Sequence, residues 1–217
     1  MERTTRPAAD AAPNGGAATS ANGVAPVLFS AAGLRAVELT DADIPLLQRF
    51  FEANPEYFHA VNGAGPGPNE AQSELHSELP AGWPYTRWWI PGFFDDARVL
   101  HGMAGMVEDL LAPGVWHIGL FMVATPAHGT GLATTLYGAL EAWAKSRGAQ
   151  WLRLGVVAGN VRAERFWERN GYVESRTRTG IAMGSKVNTV RVMIKPLAGS
   201  ALASYRTLVP RDRPDPA

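Results

Sequence analysis

The 217-residue chain has no cysteine, no net charge and no long apolar run. Without cysteine there is no disulfide, no thiolate metal site and no covalent acyl-cysteine intermediate; no metal site is expected. The 20 basic residues balance the 20 acidic ones, so no global field draws the protein to nucleic acid or to a membrane surface. No basic run is interleaved with aromatics, which removes the usual footprint of a nucleic-acid partner. No apolar stretch reaches the length of a membrane span. Two phosphate-binding signatures are also missing. The P-loop pattern fails because no Lys follows Gly129 or Gly131, and the dinucleotide fingerprint fails at its third glycine, where Thr134 stands.

What is present suits one domain with tails. Hydrophobic residues make up 46% of the chain, enough for a substantial core. Residues 1–26 are rich in Ala, Gly, Asn, Pro and Thr, lack an apolar signal-peptide core and are expected to be disordered. Residues 198–217 are expected to be a flexible C-terminal tail. The folded domain is then 27–197, and a cytoplasmic location follows by default.

Periodicity gives the elements. Leu34 to Leu39 reads as a strand, followed by a helix from Asp43 to about Asn54, with Thr40 or Asp41 as cap and Pro45 in the first turn. The stretch from Asn54 to Pro68 reads as an aromatic piece and a Gly/Pro loop, and Glu70 to Glu78 as a short helix. Thr86 to Phe94, Arg98 to Leu110 and Val115 to Val123 read as three successive antiparallel strands, with turns at Asp95-Asp96 and Pro113-Gly114. Leu132 to Arg147 is a helix with Leu132, Leu136, Leu140 and Trp143 on one face. Trp151 to Val157, Tyr172 to Thr179 and Val187 to Lys195 complete the strands. This order gives an α/β fold: a single mixed, mostly antiparallel central sheet with helices on both faces.

The junction after Val123 is the most telling segment. A buried strand runs into His128-Gly129-Thr130-Gly131-Leu132-Ala133 and then into a helix. Glycines at a strand-to-helix junction let backbone N–H groups face a ligand, and the free N–H groups of a helix start bind anions. Further on, Asn160-Val-Arg-Ala163-Glu-Arg-Phe166-Trp167-Glu-Arg-Asn-Gly171-Tyr172 has an N-cap residue at Asn160 and a helix stop at Gly171. The first segment resembles [Q/R]-x-x-G-x-[G/A] and the second N-x-x-A-x-x-F-[Y/W]-E-x-x-G-[F/Y] of the GNAT superfamily of acyl-CoA-dependent N-acyltransferases. The resemblance covers about Gly33 to Leu197 and departs from the pattern at His128, where the family has Gln or Arg.

The resemblance implies acetyl-CoA as the coenzyme, leaving as coenzyme A. It also implies a cradle of Met122, Val123, His128, Gly129, Thr130, Gly131, Leu132, Ala133, Thr134, Asn160, Phe166 and Trp167. The backbone N–H groups near Met122 and Val123 are the expected donors to the oxyanion. Direct transfer to an amine needs a base for the amine proton. His117 ranks first, since strand alternation over six residues puts it on the side of Val123. Glu108 ranks second. The usual family tyrosine after the phenylalanine is Trp167, whose indole N–H is a donor but not an acid at physiological pH. The expected function is transfer of acetyl to a primary amine of a small molecule or peptide, with a homodimer expected by family analogy only. The second reading is a non-catalytic acyl-CoA-binding sensor, motivated by Trp167 and His128. A third is a nucleotide-binding α/β protein.

Overall fold

The computed structural model describes residues 26–197, 199 and 201–214. The expectation for the N-terminal tail lies almost wholly outside them. Nine strands form one sheet: β1 (Val27–Ala31), β2 (Leu34–Glu38), β3 (Arg87–Trp89), β4 (Pro91–Phe94), β5 (Leu100–Glu108), β6 (Val115–Val123), β7 (Trp151–Val157), β8 (Val173–Met183) and β9 (Lys186–Pro196). The order is β1-β2-β4-β5-β6-β7-β9-β8, with β3 also on β5. Only β6 and β7 run parallel; the other pairs are antiparallel. The mixed, mostly antiparallel sheet is as the sequence implies. The stretch Thr86 to Phe94 divides into β3 and β4 at Ile90, where Pro91 has no N–H for the ladder.

The helices are α1 (Ile44–Ala53), α2 (Glu56–Asn62), α3 (Glu70–Leu75), α4 (Leu132–Ser146), α5 (Val161–Arg169) and α6 (Leu202–Leu208). Leu136, Leu140 and Trp143 of α4 are buried with Ala104, Met106, Trp116, Ile118 and Val123 of the sheet, as is Trp167 of α5. The opposite face buries Leu47, Phe50 and Phe51 of α1 and Phe58 of α2 against Met103, Leu120 and Met122. The Trp143 ring makes edge-on contacts with Trp89 and Trp116 at centroid separations of 5.3 and 5.5 Å. No described helix is long and apolar enough to cross a membrane.

The C-terminal segment departs from the sequence expectation. Residues 202–212 fold back as α6 and a short 3-10 turn, Pro210–Asp212. Tyr205 and Val209 are buried against Val115, Trp151, Val192 and Ile194. Asp212, fully buried, receives two bonds from Arg153 of β7, Nε to Oδ2 at 2.7 Å and Nη2 to Oδ1 at 3.1 Å. The Tyr205 hydroxyl donates to the same carboxylate at 2.6 Å. Burial alone would raise the Asp212 carboxyl, but the hydrogen bonds and charge of Arg153 and the Tyr205 hydroxyl hold it below its ordinary value. Overall composition marks this stretch as a tail, whereas three residues at spacings of four and three supply the anchor.

Removing one partner of a buried ion pair leaves an uncompensated charge, so Asp212→Ala is expected to cost about 3–5 kcal/mol. Urea unfolding measures it; a loss below about 1 kcal/mol, the range of an exposed pair, would show that the segment does not hold Arg153.

Candidate active site

The site begins where β6 and β7 part. Their parallel pairing runs from Val115 opposite Trp151 to Ile118 opposite Leu154 and stops there. From Gly119 to Val123, the β6 edge facing β7 has no strand partner. On its other edge β6 is bulged: Leu120 faces Gly105 and Ile118 faces Met106, so Gly119 is the extra residue. A bulge reverses the side-chain alternation beyond it. Accordingly Phe121 and Val123 share a cluster with Trp116 and Ile118, while Leu120 and Met122 face the other way. His117 therefore lies on the Leu120 and Met122 side, not the Val123 side that unbroken alternation implies.

Two cavities meet at this parting, with Tyr57, Phe121, Asn160, Ala163 and Trp167 lining both. The larger, about 640 Å³, is lined by Met122, Val123, His128, Gly129, Gly131, Ala133, Thr134, Asn160, Phe166 and Trp167, together with Arg162 and Arg169. Thr130 and Leu132 are not on its wall. The Thr130 hydroxyl bonds the Ala127 carbonyl at 2.8 Å, and the Leu132 side chain packs on the core. Gly129 and Gly131 have φ of +81° and +88°, a backbone conformation that favours glycine, and a Cβ at either would meet open space. Ala133 and Thr134 stand in the first turn of α4, where N–H groups lack intrahelical partners. The Asn160 side chain caps α5 by accepting from Ala163 N–H at 3.3 Å.

His128 plays a different part from the one its motif position implies. Its Nε2 lies 3.0 Å from the Val123 carbonyl and its Nδ1 2.9 Å from Arg162 Nη1. Donation from Nε2 to the carbonyl leaves Nδ1 to accept from the guanidinium, so both nitrogens are engaged. The exposed cation at this point is Arg162, which no motif position marks in the sequence.

The smaller cavity, about 330 Å³, lies on the other side of the parting and is lined by His117, Gly119, Leu120, Val61, Trp83, Ile181 and Met183 among others. The tip of the β8–β9 hairpin closes on α2. Ser185 N–H donates to the Asn62 carbonyl at 2.9 Å, and Asn188 Nδ2 donates to the Val61 carbonyl at 2.9 Å. His117 Nδ1 lies 3.1 Å from the Arg153 carbonyl and 3.2 Å from Arg153 Nη1. Protonated Nδ1 donates to the first and leaves Nε2 with a lone pair; unprotonated Nδ1 accepts from the second. Burial and then the Arg153 charge lower the His117 imidazole to about 3, so the ring is neutral throughout the physiological range. Glu108 lines neither cavity. Its carboxylate accepts the Trp89 indole N–H at 2.8 Å, and Arg87 stacks on that indole 3.5 Å from the ring centroid. Glu108 thus packs the far end of β5 instead of facing the parting.

The carboxyl that titrates near neutrality is Glu74 of α3. It is half-buried over β5 opposite Leu120, where a Cβ on Gly105 would come within 2.9 Å of its Oε1. Burial first, and then the charge of Glu70, push the carboxyl up to about 7. Glu74 charge in turn helps raise the Tyr57 phenol, which burial raises most, so Tyr57 stays a neutral donor where the two cavities meet. No local motif announces Glu74, because its shift comes from packing against β5.

The family comparison agrees with this geometry. A family model described as acetyltransferase (GNAT) family matches residues 47–172, more than half the chain. The chain belongs to the GNAT family. No curated protein matches it. A GNAT-family structure from Chromobacterium violaceum is 16% identical, with a TM-score of 0.65 over 88% of this chain and 97% of that one. An acetyltransferase from Thermus thermophilus is 21% identical, with a TM-score of 0.59 over 79% of this chain and 100% of that one. A spermidine N-acetyltransferase from Vibrio cholerae, in complex with CoA and spermine, is 16% identical, with a TM-score of 0.58 over 76% and 95%. At these identities the likeness is one of fold. The GNAT match ends at Tyr172, so β8, β9 and α6, which wall the smaller cavity or pack behind it, lie beyond the matched residues.

Glu74 gives a stability test. Its carboxyl is neutral in the folded protein up to about pH 7 but ionises near 4.5 when unfolded. The penalty on the folded state is therefore absent below 4.5, grows as pH rises towards 7 and is complete above that. Glu74→Gln should stabilise the protein at pH 8 by up to about 3 kcal/mol and by almost nothing at pH 4.5. Thermal unfolding from pH 4.5 to 8 would refute the assignment if the variant and the parent kept a constant difference.

Proposed function

We propose that the protein transfers an acetyl group from acetyl-CoA directly to a primary amine, with the larger cavity holding the coenzyme and the smaller one the amine. The observation that carries this reading is the parting of β6 and β7, which joins the two cavities at unpaired backbone. Acetyl-CoA, when bound, supplies a thioester carbonyl carbon to which the amine nitrogen bonds as the C–S bond breaks.

The residues divide the remaining work. The backbone N–H groups of the α4 start and the exposed Arg162 and Arg169 suit the coenzyme phosphates. The unpaired edge of β6 around Met122 and Val123 supplies fixed donors for the charge that develops on the acyl oxygen. His117, neutral and with Nδ1–H on the Arg153 carbonyl, accepts an N–H of the incoming amine at Nε2 and so orients its lone pair. A ring lowered to about 3 does not keep a proton. Glu74, raised to about 7, lines neither cavity itself but lies over β5 opposite Leu120, a wall residue of the smaller one, and takes the proton through water. Tyr57 offers a neutral hydroxyl where the cavities meet, in place of the phenol that Trp167 does not provide.

Three measurements test this. Acetyl-CoA at a hundred times its dissociation constant should stabilise the protein by roughly 2.7 kcal/mol, with ATP and NAD as controls; no shift would remove the coenzyme assignment. Gly131→Asp should weaken that binding by about a hundredfold or more, since it puts a side chain and negative charge at the anion site; retained affinity would move the phosphates elsewhere. With an amine panel, free-thiol release should have kcat/KM rising through about pH 7, and Glu74→Gln should flatten that rise and cost about a hundredfold in kcat. Binding without thiol release from any amine would favour the sensor reading.

A further inference from the structure

The smaller cavity has an unusual balance of charge. Among the described residues, its charged wall residues are Arg153 and Arg178, and no aspartate or glutamate lines it. Arg153 is committed to the buried Asp212. Arg178, half-buried on β8, makes no hydrogen bond or ion pair with any described residue. Beside it, Arg211 lies over the Trp83 ring, 3.9 Å from its centroid, and Trp83 is a wall residue of the same cavity. The Arg211 Nε is buried with no hydrogen-bond partner. Burial, and next the charge of Arg178, make the Arg211 guanidinium easier to deprotonate than usual. The two guanidinium groups repel each other at the edge of a mostly apolar cavity, and the buried Asp212 carboxylate, whose charge attracts both, is hydrogen-bonded to Arg153 and Tyr205 instead. A half-buried guanidinium without a hydrogen-bond partner gains from an anion that pairs with it.

We infer that the amine acceptor carries a carboxylate, which Arg178, with Arg211 behind Trp83, holds at the far wall of the acceptor cavity. This rests on the acetyl-transfer reading and names its substrate class: a small amino carboxylate with an apolar or aromatic body. A volume of about 330 Å³ lies at the small end of ligand pockets. The remaining wall, with Val61, Leu120, Ile181 and Met183, suits that body. A planar fork such as Arg178 pairs with a carboxylate through two parallel hydrogen bonds. A polyamine would meet these cations with no carboxylate on the cavity wall to pair with, in contrast to the spermine seen with the Vibrio cholerae neighbour.

The test uses matched amines with and without a carboxylate at two spacings: L-phenylalanine against phenethylamine, and 4-(aminomethyl)benzoate against benzylamine, with spermidine as the cationic control. With acetyl-CoA and the full chain, the carboxylated member of at least one pair should have a kcat/KM higher by about tenfold or more. Arg178→Gln should bring that ratio towards one, Arg178→Lys should keep part of it, and Arg178→Glu should shift preference to spermidine. In parallel, calorimetry on the CoA-loaded protein follows binding of the N-acetylated carboxylates. Their binding, lost in Arg178→Gln, would support the carboxylate site even if no amine were turned over, so the two readings fail separately. The inference is overturned if spermidine outruns both carboxylates in the parent protein. It is equally overturned if Arg178→Gln leaves ratio and binding unchanged, or if no carboxylate is either bound or acetylated.

Discussion

The parting of two parallel strands governs this protein. β6 and β7 pair through Ile118 and Leu154 and then separate, although both continue as strands. Buried backbone without a partner is costly, so such an opening persists only where a ligand or solvent meets those groups. Everything the site requires is arranged around it. The glycine turn and the start of α4 lie at one end, α5 lies along one side, and the hairpin of β8 and β9 closes over the other.

The two faces of the sheet carry unequal duties. The α4 face is a dense aromatic cluster built on Trp143, with Trp89 fastened by Glu108 and flanked by Arg87 and Arg147. It packs behind Phe121, Phe166 and Trp167, which line the larger cavity. The α1–α3 face is joined to the site by short polar ties: Asn54 Oδ1 accepts Thr125 N–H at 2.6 Å, and Glu56 accepts the Thr125 hydroxyl at 2.6 Å. These ties set the α1–α2 junction against the end of β6 and bring Tyr57 to the place where the cavities touch. One wall of the larger cavity is thus backed by packed rings, and another is set by individual polar contacts from Asn54 and Glu56.

Legibility in the sequence followed the strength of local pattern. β6 and β7 begin and end at the residues their apolar runs mark, and α4 starts at Leu132 as the glycine junction dictates. Asn160 and Gly171 bound α5 through ordinary cap chemistry. α2 is only seven residues between Pro55 and Gly63, too short for a helical period to stand out. α6 is hidden by its polar neighbours. Glu74, Arg162 and Arg178 are single charged residues whose meaning comes from what packs beside them. Gly119 is the clue to the bulge in the sequence, since glycine inside a strand often marks one; unbroken alternation instead puts His117 on the face of Val123.

That bulge also determines how this strand tolerates changes in length. Residues on either side of Gly119 are in opposite phase, and each phase has been filled with the side chains its own surface needs. Removing one residue here would do more than shorten β6. It would turn His117 into the α4 core and bring Trp116 out on the side of Leu120 and Met122, replacing an imidazole on the wall of the smaller cavity with a bulkier apolar ring. Length in this strand is therefore fixed more tightly than the identity of most of its residues, and variation among related chains should fall in substitutions around the bulge before it falls in insertions or deletions within it.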